Sequence, residues 1–104
     1  MLTNLDENTV DMIYGLKKLG FDSQDIVMLD NFSNKLRRIG INECNRELSS
    51  YEEKMDKKYT QAAKVILTKY VQNNKITSFE IQSDPRGAMI IIYRDNQDNT
   101  GIRI

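Results

Sequence analysis

Thr77-Ser78-Phe79-Glu80-Ile81-Gln82, then Ser83-Asp84-Pro85-Arg86-Gly87, then Ala88-Met89-Ile90-Ile91-Ile92-Tyr93 is the stretch on which the fold turns. Thr77, Phe79 and Ile81 alternate with Ser78, Glu80 and Gln82, a period of two that predicts a strand with one buried face. Asp84, Pro85 and Gly87 stand at the first, second and fourth positions of a type I turn, and Gly87 is expected to take the positive φ that re-enters a strand. Residues 88–93 form the return strand, apolar on both faces, and such a strand is normally covered on both sides. Either helices wrap both faces, or Met89, Ile91 and Tyr93 lie on an open face and meet a second copy or another protein.

Downstream of this hairpin, residues 95–101 read as a polar loop, and Ile102 with Ile104 as a short third strand. Upstream, the period changes to that of a helix. Ser49 or Ser50, followed three residues on by Glu52 or Glu53, forms a capping box, and Met55, Tyr59, Ala62, Ala63, Ile66 and Tyr70 follow helical spacing up to a left-handed stop at Asn73-Asn74. Before it, Asp22 is placed to cap a second helix, with Phe21 stapling onto Ile26. Its apolar stripe is Ile26, Leu29, Phe32, Leu36 and Ile39; a break is expected near Gly40, and Asn45 ends the helix. A first helix over residues 5–19 starts at an Asn4/Glu7 capping box, carries Val10, Ile13, Leu16 and Leu19 on one face beside Tyr14, and stops at Gly20. The reading is an α+β fold: three helices followed by an antiparallel β-hairpin or short three-stranded sheet, packed on the long third helix. One domain spans residues 1–104, with 1–35 as an N-terminal helical addition to a helix–helix–hairpin core over 36–104.

The residue inventory excludes much chemistry. The chain of 104 residues has no histidine and a single cysteine, Cys44. Triads that use imidazole, histidine acid–base catalysis and the usual zinc and iron–sulfur cages are thereby removed. The five glycines are too dispersed for a phosphate loop, and no paired acids stand out from ordinary helix-surface carboxylates. The expectation is a protein that is not an enzyme and binds no cofactor. Cys44 reads as a small buried apolar residue. The acidic, polar start lacks the basic and apolar regions of a secretory signal, and no apolar run is long enough to span a bilayer, so a cytoplasmic protein is expected.

Net charge is zero but unevenly spread. Residues 1–34 carry a net −4, residues 35–75 a net +5 and the remainder −1. This suits either complementary packing between helices or a bipolar docking surface. Arg37, Arg38 and Arg46 with Lys35 form a basic cluster near Tyr51, and it suits either phosphate contact or pairing with nearby acids. Asp84 and Arg86 sit at the hairpin tip, where Arg86 is able to present its fork to a carboxylate or phosphate.

Two segments together, Leu36-Arg37-Arg38-Ile39-Gly40-Ile41-Asn42-Glu43-Cys44-Asn45-Arg46-Glu47-Leu48 and Gln82-Ser83-Asp84-Pro85-Arg86-Gly87-Ala88, resemble a family of small bacteriophage and prophage proteins. That family has an RR-x-x-x-x-ECNR segment, a charged helix and a terminal DPRG hairpin. The resemblance covers roughly residues 36–94, and Ser83 stands where the family's glycine precedes Asp84. It implies context rather than chemistry: no catalytic or cofactor role is carried onto any residue. Small phage proteins of this build act by binding, including inhibition of host nucleases and defence complexes, so the expected partner is a host protein or ribonucleoprotein. The alternative is a small nucleic-acid-binding or regulatory accessory protein, and a homodimer through the 89/91/93 face is a third.

Overall fold

In a computed structural model, which describes residues 7–82 and 85–104, three helices precede a three-stranded antiparallel sheet. The elements are α1 (Glu7–Lys18), α2 (Ser23–Asn45), α3 (Ser50–Gln72), β1 (Ser78–Ile81), β2 (Ile90–Tyr93) and β3 (Ile102–Arg103). The strands lie in the order β1-β2-β3, with Phe79 opposite Ile92, Ile81 opposite Ile90, and Ile92 opposite Ile102. The α+β architecture expected from the change of period is therefore present, including the third strand.

Local signals set the helix ends. The hydroxyl of Ser49 accepts from the Glu52 amide, and the Glu52 carboxylate accepts from the Ser49 amide, completing the capping box that opens α3. Gly20 (φ 95°) and Asn74 (φ 60°) take the left-handed conformation just past α1 and α3. The amides beyond them reach back five residues, Phe21 to Leu16 and Lys75 to Tyr70, satisfying carbonyls the helices leave open. Asp22 stands at the start of α2 without making a side-chain cap. Asn4 and Asp84 fall outside the described residues.

One core gathers Met12 and Leu16 of α1, Ile26, Leu29 and Leu36 of α2, Ala63, Ile66, Leu67 and Tyr70 of α3, and Ile90 and Ile92 of β2. The Phe21 ring stacks on Tyr70, with centroids 3.8 Å apart and planes 8° from parallel, in the same core that holds Ile26. Residues before 36 thus supply a large share of the core, and α2 runs unbroken across both position 35 and Gly40. Residues 7–35 contribute to the same core as residues 36–104 through Met12, Leu16, Phe21, Ile26 and Leu29. Gly40 is buried in mid-helix because Pro85 sits against it: a Cβ there would lie 3.0 Å from the proline Cβ. Close approach of the hairpin, not a helix break, accounts for the glycine. Gly87 does not take a positive φ; among the described glycines Gly20 and Gly101 do.

The open-face reading of the return strand is overturned. Met89 is 3% exposed and belongs to the helix-facing core, and Ile91 is 2% exposed. Ile91 points away from that core, opposite Glu80 and Arg103, and is covered from within the chain. Gly101 packs directly on it, and Tyr93, half-buried on the same face, donates its hydroxyl to the Glu80 carboxylate at 3.0 Å. On this face Gly101, at the end of the loop after β2, lies against Ile91 and Tyr93, beside the Tyr93–Glu80 pair. Cys44 is likewise not buried: it is exposed on the last turns of α2.

Candidate partner-binding surfaces

The basic cluster separates into side chains with different duties. Arg37 turns toward the hairpin. Its Nε and Nη2 donate to the carbonyl of Gly87 at 3.3 and 3.2 Å, Nη1 donates to Asn34, and Nη2 also reaches the Ser33 hydroxyl. Ser33 is fully buried and donates in turn to the Ile104 carbonyl at 2.9 Å. Four of the five guanidinium N–H groups are thus engaged within the chain, and Arg37 fastens the hairpin turn and the final strand to α2.

Arg46 is also held. It forms a two-pronged ion pair with Glu52, Nη1 to Oε1 at 2.8 Å and Nη2 to Oε2 at 3.0 Å, and Asn42 donates to the same carboxylate. Hydrogen bonds from Arg46 first, then from the Ser49 amide, pull the Glu52 carboxyl down to about 2. The pair ties the end of α2 to the start of α3. A second tie joins the opposite ends of the same helices. Lys69 and Tyr70 both donate to the Asp25 carboxylate, Lys69 at 2.7 Å, while the Asp22 amide donates to the Tyr70 hydroxyl at 2.9 Å. Burial works to raise Asp25, yet the hydrogen bonds from Lys69 and Tyr70 outweigh it and leave the carboxyl below its ordinary value. Here the acidic first part of the chain meets the basic middle, so part of the uneven charge is spent on packing.

Arg38, one residue on from Arg37, points elsewhere. It is exposed and enters none of these hydrogen bonds or ion pairs. With Lys35, Tyr51, Met55 and Tyr59 it lines a slot of about 240 Å³ between α2 and α3. Met55 and Tyr59 are half-buried, Phe32 packs against Tyr59 at 6.0 Å between centroids, and the Lys35 ammonium lies 5.0 Å above the Tyr59 ring. Tyr51 is 70% exposed on the first turn of α3. The result is an apolar slot with a cationic rim, whose one acid, Glu52, is already paired with Arg46.

Arg86 stands in a different place, a cleft of about 680 Å³ where it meets Arg37, Arg103, Asn8 and Asp11. Of the residues marked out in the sequence, the structure therefore brings Arg37 and Arg86 together and sends Arg38, Arg46 and the buried Met89 and Ile91 to separate places. Tyr51 and Lys35 were visible as neighbours of the basic cluster. Arg103 and Asp11 carried no signal, because only the folded chain sets the last strand beside the first helix.

Among the described residues no group of three His, Cys, Asp or Glu side chains is placed to hold a metal ion, and no helix is long and apolar enough to cross a membrane. No family model, curated protein or solved structure matches the chain.

Proposed function

We propose that the chain is a non-catalytic binding protein of bacteriophage or prophage type, acting stoichiometrically in the host cytoplasm on a host protein or ribonucleoprotein. Its role is to inhibit a nuclease-based defence complex, in the manner of an anti-CRISPR. The observation that carries the binding reading is the slot between α2 and α3. Its volume of about 240 Å³ lies below the roughly 300–1,000 Å³ of sites that enclose a small molecule, so it suits an anchoring side chain from a partner surface. Tyrosine and arginine dominate the energetics of protein interfaces, and both stand here, at Tyr51 and Arg38, beside an apolar floor. With Glu52 held by Arg46, Lys35 and Arg38 leave the rim positive. The partner is therefore an acidic protein surface that offers an apolar or aromatic side chain. The phage context rests on the resemblance of residues 36–94.

The test is capture from a nuclease-treated bacterial lysate by the tagged chain and by an Arg38→Glu/Tyr51→Ala variant. Both substitutions fall on exposed residues, so the variant keeps its melting temperature. A protein retained by the parent chain and lost by the variant supports the reading. Equal retention, or turnover of any substrate, overturns it. A second reading draws on the same slot, because exposed aromatic rings beside cations also stack bases of single-stranded nucleic acid. An accessory nucleic-acid protein would release its ligand steeply as salt rises, whereas a largely apolar protein interface would not.

A further inference from the structure

We propose that the solvent face of α3 docks on the phosphate backbone of double-stranded nucleic acid, at a place separate from the α2–α3 slot. The net +5 of residues 35–75 is only partly engaged within the fold. Arg37 holds the Gly87 carbonyl, Arg46 holds Glu52 and Lys69 holds Asp25. Lys54, Lys57, Lys58 and Lys64 are exposed, and among the described residues none of them makes an ion pair or a side-chain hydrogen bond. At about 100° and 1.5 Å per residue, these four lysines fall within an arc of about 120° and a length of about 15 Å. The acids of the helix, Glu52, Glu53 and Asp56, project outside that arc, as do the slot residues Tyr51, Met55 and Tyr59. Gln61, Thr68 and Gln72 lie inside it, and with Lys64 they border a depression of about 490 Å³.

The side chains on this face select the ligand. The apolar stripe of α3, Ala63, Ile66, Leu67 and Tyr70, is buried in the core. Val65 is the one large apolar residue exposed within the arc, so the face has little to sink into a bilayer. Protein interfaces are depleted in lysine and draw their energy from tryptophan, tyrosine and arginine, none of which stands in the arc. No aromatic ring lies there to stack an unpaired base, as a single-strand site requires. Lysine is a mobile point charge that suits a row of phosphates, and glutamine and threonine side chains also donate to phosphate oxygens. A duplex carries one negative charge per about 1.7 Å of its axis, so a face about 15 Å long meets several phosphates at once. None of these contacts reads a base edge, and binding is therefore independent of sequence.

The probes are a short DNA duplex, the RNA duplex of the same sequence, single-stranded DNA of equal length and poly-L-glutamate. Each carries a fluorophore and is titrated with the full chain by fluorescence anisotropy, at salt from about 50 to 200 mM. Four phosphate contacts give log affinity a slope of about −3.6 against log salt, a loss of roughly 100-fold across that range. Lys57→Gln/Lys64→Gln should weaken binding to any sequence and reduce the steepness by about 2, and Lys54→Gln/Lys58→Gln should do the same. Lys17→Gln/Lys18→Gln removes equal charge from α1 and should leave the slope unchanged. All six positions are exposed, and glutamine is about as good a helix former as lysine, so circular dichroism melts should stay in place. Binding of either duplex with this lysine dependence supports the proposal, and the tighter one names DNA or RNA as the source. The proposal is overturned if neither duplex binds, or if the α1 variant lowers the slope as much as the α3 variants do. It is also overturned if poly-L-glutamate or the single strand binds as tightly as the duplexes. A single-strand preference that Tyr51→Ala abolishes would move nucleic-acid binding to the slot, whose protein capture is read separately by its own variant.

Discussion

Replacing Gly101 with alanine tests whether the second face of the sheet is closed from within the chain. Gly101 sits at φ +69°, a left-handed conformation that disfavours alanine by about 1–2 kcal/mol. Its missing Cβ would lie 2.5 Å from the Ile91 Cγ2 and 3.0 Å from the Ile92 carbonyl oxygen, so something must shift. Ile91 is fixed in a paired strand, and forcing a methyl group into such packing adds about 1–3 kcal/mol. The two effects together give a loss of roughly 2–5 kcal/mol. A domain of this length holds about 5–15 kcal/mol in total, so the variant loses a large fraction of its stability and melts at least about 10 °C lower. Urea unfolding followed by circular dichroism measures the loss. Gly87→Ala is the matched control, because nothing lies within 4 Å of the added carbon and φ is not positive. It should be neutral, or stabilise by up to about 1 kcal/mol by restricting the unfolded chain. If Gly101→Ala falls within about 0.5 kcal/mol of the parent, as for an ordinary surface change, Gly101 does not pack on Ile91. That face would then be available to a partner after all.

Three further outcomes follow from the ties between elements. Glu52, lowered to about 2, contributes stability that is fully present above its ordinary value of 4.5 and lost as pH falls toward 2; Glu52→Gln should flatten that part of the acid-unfolding curve. Tyr70→Phe keeps the ring stacked on Phe21 but removes the hydroxyl shared by Asp25 and the Asp22 amide, and denaturant unfolding should show a loss of about 1–3 kcal/mol. Arg37→Lys keeps the charge but loses the fork on the Gly87 carbonyl; it should cost about 1–2 kcal/mol and speed hydrogen exchange at the hairpin amides of Gln82 and Met89.

Features governed by near neighbours were legible in the sequence. The capping box at Ser49 and Glu52, the left-handed stops at Gly20 and Asn74, and the change of period that sets helices before strands all act within a few residues. Contacts made across the chain were not. Gly40 looked like a helix break because the proline that needs the space stands 45 positions later. Gly87 looked like the residue requiring positive φ, yet the requirement falls on Gly101, where a loop must cross Ile91. The apolar strand left a covered face and an open one both possible, because alternation shows which way a side chain points but not what covers it. At the candidate sites the basic cluster was visible, but its division into pinned and exposed members was not.

That division bears on the resemblance to phage proteins. Successive residues of a helix project about 100° apart, so Arg37 and Arg38 cannot serve the same surface: one fastens the hairpin and the other faces water. Gly40 receives Pro85, and Arg46 holds Glu52. Arg37, Arg46 and Pro85, three of the residues that make the two segments look familiar, are therefore among those that hold α2 to the hairpin and to α3. In this chain these residues specify an architecture, and the proposed binding is assigned to exposed side chains beside them, Lys35, Arg38 and Tyr51 at the slot between α2 and α3. The consequence is a separation by position. Changes at Arg37, Gly40 or Arg46 are expected to lower stability and the proposed binding together, since they loosen the frame on which the slot is built. Changes at Arg38 and Tyr51 are expected to remove the proposed binding at the slot while the melting temperature stays in place.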